Sequence, residues 1–169
     1  MTAIRRDADI HDTHTPERVA EKLILEGYRR WCAWIVTRDD FHWEVTKRHF
    51  VSALGNRDGS YALGLFAEFA TRLKLSTQRS LFSRPCNCES LCFQEVLLLG
   101  LLSGIQHDDG TAVALCLDGI TGNSNHDELY PASEALAQFL YASEKEFFPI
   151  PANTIKSVIT ETISTNTIQ

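Results

Sequence analysis

One segment sets the terms for the rest of this 169-residue chain. From Leu91 to Ile105 it runs almost without polar interruption, broken mainly by Gln94 and Glu95. The run is too short to span a bilayer, which takes about 20 apolar residues. Leu91, Phe93, Val96, Leu97, Leu98, Leu99, Leu101, Leu102 and Ile105 cover nearly the whole circumference of a helix. A helix that is apolar all round must be enclosed by its neighbours. We therefore expect a buried central helix over about residues 88–106, with the other elements wrapped around it. Gly100 and Gly104, four positions apart, would let one of those neighbours come close.

The remaining segments read as amphipathic helices. Thr15, Pro16 and Glu17 form a helix start, with a hydroxyl cap, proline in the first turn and an acid at the positive end. That helix would run to about Thr37, with Ile24, Tyr28, Trp31 and Ile35 on one face. Asp39 or Asp40 caps a second helix that ends at Gly55 and carries Trp43, Phe50 and Leu54. Residues 55–60, GNRDGS, read as a loop by composition. Ser60 then caps a third helix with Tyr61, Leu65, Phe69 and Leu73 along one side. Periodicity does not decide between strand and helix for Ala112 to Leu117. With no second strand to pair with, it is assigned as helix. Two more helices follow, Pro131 to about Phe147 and about Ala152 to Ser164, the last with Ile155, Val158, Ile159 and Ile163 on one face. The expected architecture is all-α: a single-domain helical bundle or globin-sized array of six or seven helices. Residues 1–14 form a flexible N-terminal segment, 15–164 the domain and 165–169 a tail.

Five cysteines, an odd number, without a recognisable signal segment argue against a disulfide framework and for a cytoplasmic protein with free thiols. Charge is unevenly distributed. Residues 1–84 carry 14 Lys/Arg against 11 Asp/Glu, a net of +3, and residues 85–169 carry 2 against 11, a net of −9. Such asymmetry fits a partner surface or head-to-tail self-association, as well as simple mixing of the two halves on one folded surface.

The candidate site is Cys86, Cys88, Cys92 and Glu95. On a helix capped by Asn87, Cys88 and Cys92 would share a face, with Glu95 continuing the stripe. Cys86, held extended by Pro85, would fold back toward them. Thiols at a helix N-terminus meet unpaired N–H groups and the positive end of the dipole, which favours the thiolate. Three thiolates and one further ligand would complete a tetrahedral zinc shell, and soft sulfur also suits Cu(I) or an iron–sulfur cluster. The spacing C-x-C-x₃-C lacks the paired C-x₂-C of zinc modules and the C-x-x-C of thioredoxin-like proteins. Packing of small side chains beside a buried helix accounts for it equally.

Other clusters carry less. His11, Asp12 and His14 lie near the terminus. His42 and His49 are two helical turns apart, about 10 Å, too far for one ion. Residues 28–50 mix Arg29, Arg30, Arg38, Lys47 and Arg48 with three tryptophans, the outline of a nucleic-acid surface, but Asp39, Asp40 and Glu44 interrupt it. His107 with Asp108 and Asp109 reads as one helix end followed by the cap of the next. No phosphate loop, nucleophile elbow or dinucleotide fingerprint occurs. The function expected is that of a small cytoplasmic protein working through a protein partner or self-association surface, with a zinc-type thiol site at Cys86, Cys88, Cys92 and Glu95. The alternatives are a thiol-dependent redox or metal-dependent enzyme using those cysteines, and a nucleic-acid-associated regulator using the basic N-terminal helices.

Overall fold

The structure, a computed structural model, describes residues 18–77, 79–122 and 126–166. Among these the chain forms seven helices and no strand, as the sequence predicts. They are α1 (Val19–Thr37), α2 (Phe41–Leu54), α3 (Asn56–Ser76), α4 (Phe93–Gln106), α5 (Gly110–Thr121), α6 (Leu129–Ala142) and α7 (Ala152–Asn166). None of them is long and apolar enough to cross a membrane.

Helix α4 is the centre, as its composition requires. Leu97, Leu98, Leu101 and Leu102 are fully enclosed, and α5, α6, α7 and α1 all pack against the helix. Gly100 and Gly104 open the groove that α5 enters. A Cβ at Gly100 would stand 2.9 Å from Cys116 Sγ, and one at Gly104 would stand 3.0 Å from Val113 Cγ2. The N-terminal helices form a second layer. There α2 and α3 make a hairpin, α1 lies along α2, and α3 meets α6.

Several boundaries differ from the sequence reading. Helix α1 begins at Val19 rather than Pro16, because Arg18 has non-helical geometry (φ −75°, ψ 60°). The expected cap at Thr15, the flexible segment 1–14 and the last three tail residues lie outside the described residues. Residues 56–60 are helical, although Asn, Asp and Gly there suggest a loop. A single residue, Gly55 at φ +83°, makes the whole turn between α2 and α3. Gly59 is in the helix for close approach: a Cβ there would lie 2.6 Å from the Phe50 carbonyl oxygen. On α3 the buried face is Ala62, Phe66, Phe69, Ala70 and Leu73, and Tyr61 points away from the core to pack on Phe139 at 4.9 Å between ring centroids. Helix α6 stops at Ala142, before the expected Phe147, and the chain leaves it through Glu144 at φ +59°. Segment 112–117 is part of a longer helix, α5.

The largest change is at the start of α4. It begins at Phe93, not near Cys88, so residues 79–92 form a non-helical strap leading into α4. Cys92 is the N-cap, at φ −89°, ψ 168°, and its thiol takes the place of a hydroxyl in a capping box with Glu95. The Glu95 carboxylate accepts from Cys92 N at 2.9 Å. Asn87 caps nothing. It sits in a turn closed by Cys88 N donating to Pro85 O at 3.0 Å.

Candidate functional site

The strap is fixed from beneath by one ion pair. Arg29 of α1 and Glu95 of α4 are both buried, and their side chains meet fork to fork. Arg29 Nε donates to Glu95 Oε1 at 2.8 Å, and Nη2 donates to Oε2 at 3.0 Å. The rest of the guanidinium holds the strap backbone, Nη1 to Cys88 O at 2.6 Å and Nη2 to Ser90 O at 2.9 Å. Glu95 in turn accepts from Arg84 N and Cys92 N, both at 2.9 Å. Burial pushes the Glu95 carboxyl up, but the Arg29 hydrogen bonds and the two amides outweigh it. The net direction is down, so the carboxylate stays charged.

A second set of contacts anchors the strap's other end. Gln94 accepts from Phe82 N and donates to Ser80 O at 3.0 Å, and the Tyr28 hydroxyl donates to Phe82 O at 3.0 Å. Residues 79–92, without regular structure, are thus held in one course by four side chains of α1 and α4.

This geometry separates the residues that the sequence groups as a metal site. Cys88 and Cys92 share no helix face, because Cys88 precedes the helix. Both oxygens of Glu95 are committed to Arg29 and the strap amides, and the Cys92 thiol is buried against the Phe82 carbonyl at 3.6 Å. Among the described residues, no three His, Cys, Asp or Glu side chains group together in a way that could hold a metal ion. Of the four expected ligands only Cys86 and Cys88 are accessible, and two thiols are half of a tetrahedral zinc shell. The donor set does not fit zinc.

The thiols differ in acidity. Cys88 is lowered, first by the hydrogen bond to Ser90 Oγ at 3.1 Å, with Arg84 and Arg29 adding in the same direction. Cys86 and Cys92 are raised by burial. Burial also pushes Cys32 up to about 11 and Cys116 up to about 12; Cys116 is enclosed in the core, and Cys32 is half-buried at the edge of it.

Above the strap lies an open groove of about 680 Å³ between the C-terminal half of α1, the end of α3 and residues 79–86. Ile35, Val36, Leu81 and Phe82 give it an apolar floor, and Val36 (83%) and Phe82 (60%) are exposed to a degree unusual for such side chains. Lys74, Arg79 and Arg84 stand exposed around it, and among the described residues no Asp or Glu lines it. None of these three cations has an ion-pair partner among the described residues. The charge pattern is visible in the chain itself, where residues 69–88 hold four Lys/Arg and no carboxylate. This run lies outside the basic, tryptophan-bearing segment 28–50, whose cations are used differently. Of those, Arg29 is buried in its ion pair, Arg30 is paired with Glu26 at 2.7 Å, and Arg38 lies over the Trp34 ring.

The remaining clusters are structural. His107 ends α4 with Nε2 2.7 Å from Phe147 O, and Asp109 caps α5 by accepting from Ala112 N at 3.0 Å. His42 is half-buried and His49 exposed on α2, and His11 and His14 lie outside the described residues. Comparison with protein-family models, with curated proteins and with solved structures finds no match to this chain.

Proposed function

We propose that the chain works by binding a partner protein in the groove over the strap, and that the partner contributes a segment in which apolar side chains alternate with carboxylates. The observation that carries this reading is the groove's composition: an exposed apolar floor ringed by three cations that, among the described residues, have no ion-pair partner and no acid beside them in the lining. Exposed apolar surface rimmed by charge is what transient protein docking uses. The strap that forms one wall is held by a buried ion pair and the Gln94 contacts, so the groove exists before the partner arrives and little ordering cost falls on this side. Self-association is the same proposal with a second copy as partner, its acidic half supplying the carboxylates. A nucleic-acid strand would find the cations, but only Phe82 offers an open ring for stacking. A thiol-dependent activity would rest on Cys86 and Cys88, the accessible pair at the strap's turn.

Selection of random peptides displayed on phage, with a Val36→Asp/Phe82→Asp variant as counter-target, tests the reading. Enrichment of acidic peptides with apolar spacers that bind the native protein and not the variant supports it. Peptides that bind both equally, or a selection with no shared composition, overturn it. Light scattering at low and high salt separates the second-copy case, which requires a salt-sensitive dimer.

A further inference from the structure

All three tryptophans of the chain line one small pocket, apart from the groove above the strap. Trp31 and Trp34 come from α1, Trp43 comes from α2, and Ala67 and Thr71 of α3 complete the wall. Asp40, in the link between α1 and α2, is the one charged residue lining it among the described residues. Its volume is about 250 Å³, below the roughly 300–1,000 Å³ of pockets that enclose whole drug-sized ligands. It therefore suits a head group or a side-chain tip.

The chemistry of the lining selects the charge of that group. Aromatic rings present a negative face, and a cation within about 6 Å of the ring centroid is attracted to it, indole most strongly. One of these rings already demonstrates the interaction: the Arg38 guanidinium lies 5.3 Å from the Trp34 centroid, outside the pocket. Asp40 adds a full negative charge at the same place. Its Oδ1 accepts from Trp34 Nε1 at 3.4 Å, which ties the carboxylate to the rim. It makes no cap hydrogen bond, since Asp39 serves Phe41 N at 2.9 Å, and no Lys or Arg pairs with it among the described residues. A methylated ammonium satisfies both features. Its charge answers the rings and the carboxylate, and its methyl groups cover apolar surface while demanding few hydrogen bonds from a wall that offers few.

We propose that this pocket binds a methylated ammonium head group, carried either by a small solute or by a methylated lysine side chain. Because every tryptophan lines it, intrinsic fluorescence reports occupancy directly. The native protein is titrated with tetramethylammonium, choline and an Nα-acetyl-Nε-trimethyllysine amide at constant ionic strength, and with 3,3-dimethylbutan-1-ol, the uncharged isostere of choline. Saturable change with the cations is expected, at least about fivefold tighter than with the alcohol. The Asp40→Asn variant keeps an oxygen for Trp34, removes no cap hydrogen bond and leaves at the N-cap of α2 a residue equally suited to it, so it folds, and it binds the cations at least about fivefold more weakly. Tighter binding of the lysine derivative than of choline identifies a modified side chain as the source, and the reverse order a free solute. Equal response to the alcohol, no saturable change with any of the cations, or unchanged affinity in Asp40→Asn overturns the proposal.

Discussion

Replacing Arg29 with methionine removes the guanidinium and keeps most of the stem that packs around it. Four hydrogen bonds disappear, two to Glu95 and one each to Cys88 O and Ser90 O. Glu95 is left fully buried beside two amides and no countercharge. Breaking one partner of a buried pair costs about 3–5 kcal/mol. For a chain of this length that corresponds to a fall in Tm of about 6–20 °C. A double variant, Arg29→Met/Glu95→Leu, deletes both charges. An isolated pair would recover nearly all its stability in that way. Here the two strap carbonyls and the amides of Arg84 and Cys92 also lose their partners, so about 2–4 kcal/mol of the loss persists. Urea unfolding followed by helical circular dichroism measures each value. The acid limb gives a second reading. The folded Glu95 carboxyl lies below its ordinary value of 4.5, so its contribution is complete above that value and disappears as pH falls through the folded value. Glu95→Gln should therefore be less stable near neutrality and lose less between pH 5 and the acid transition. A loss under about 1 kcal/mol in Arg29→Met, or full recovery in the double variant, would refute the view that this pair fastens the strap.

Two glycines of α3 give a paired test of the hairpin. Gly59→Ala drives a methyl into the Phe50 and Val51 backbone and should cost about 2 kcal/mol or more, whereas Gly64→Ala, with open space around it, should gain about 0.5–1 kcal/mol, both read by thermal melts. The thiols should label in the order of their exposure and acidity: with an aromatic disulfide reagent near pH 7.5, Cys88 reacts first, Cys86 next and Cys32 more slowly, while Cys116 waits for denaturant. Mass mapping that finds Cys116 modified in the native protein would contradict the enclosed core.

What could be read in the chain followed the strength of local signals. The central position of α4 and the close approach at Gly100 and Gly104 follow from composition and spacing alone, because an all-round apolar helix has only one kind of environment. The strap was beyond such reading. Cys88, Glu89, Ser90 and Leu91 can be written onto a helix without conflict, and what prevents it is Arg29, 66 positions from Glu95, binding the carbonyls of Cys88 and Ser90. A contact at that separation leaves no periodic trace. Residues 56–60 fail in the opposite sense. Their glycine reads as a turn, and its purpose is to let two helices touch. The one hint of the ion pair was Glu95 itself, a carboxylate in the most apolar stretch of the chain, which had to find a cation somewhere.

The distance along the chain between Arg29 and Glu95 also orders events during synthesis. At about 5–20 residues per second, Glu95 is added roughly 3–13 s after Arg29. Once Ser76 is added α1, α2 and α3 are complete, and for the last roughly 1–4 s of that interval the guanidinium that will sit at their junction with α4 still has no carboxylate to meet. Enclosing it alone would be costly, so the emerging three-helix fragment keeps that end open to water. Glu95 and the leucines of α4 then arrive together, in the same two turns of helix. The residue that neutralises the gap and the side chains that fill it are supplied in one step, which makes the N-terminal half of this protein wait for its core rather than collapse without it.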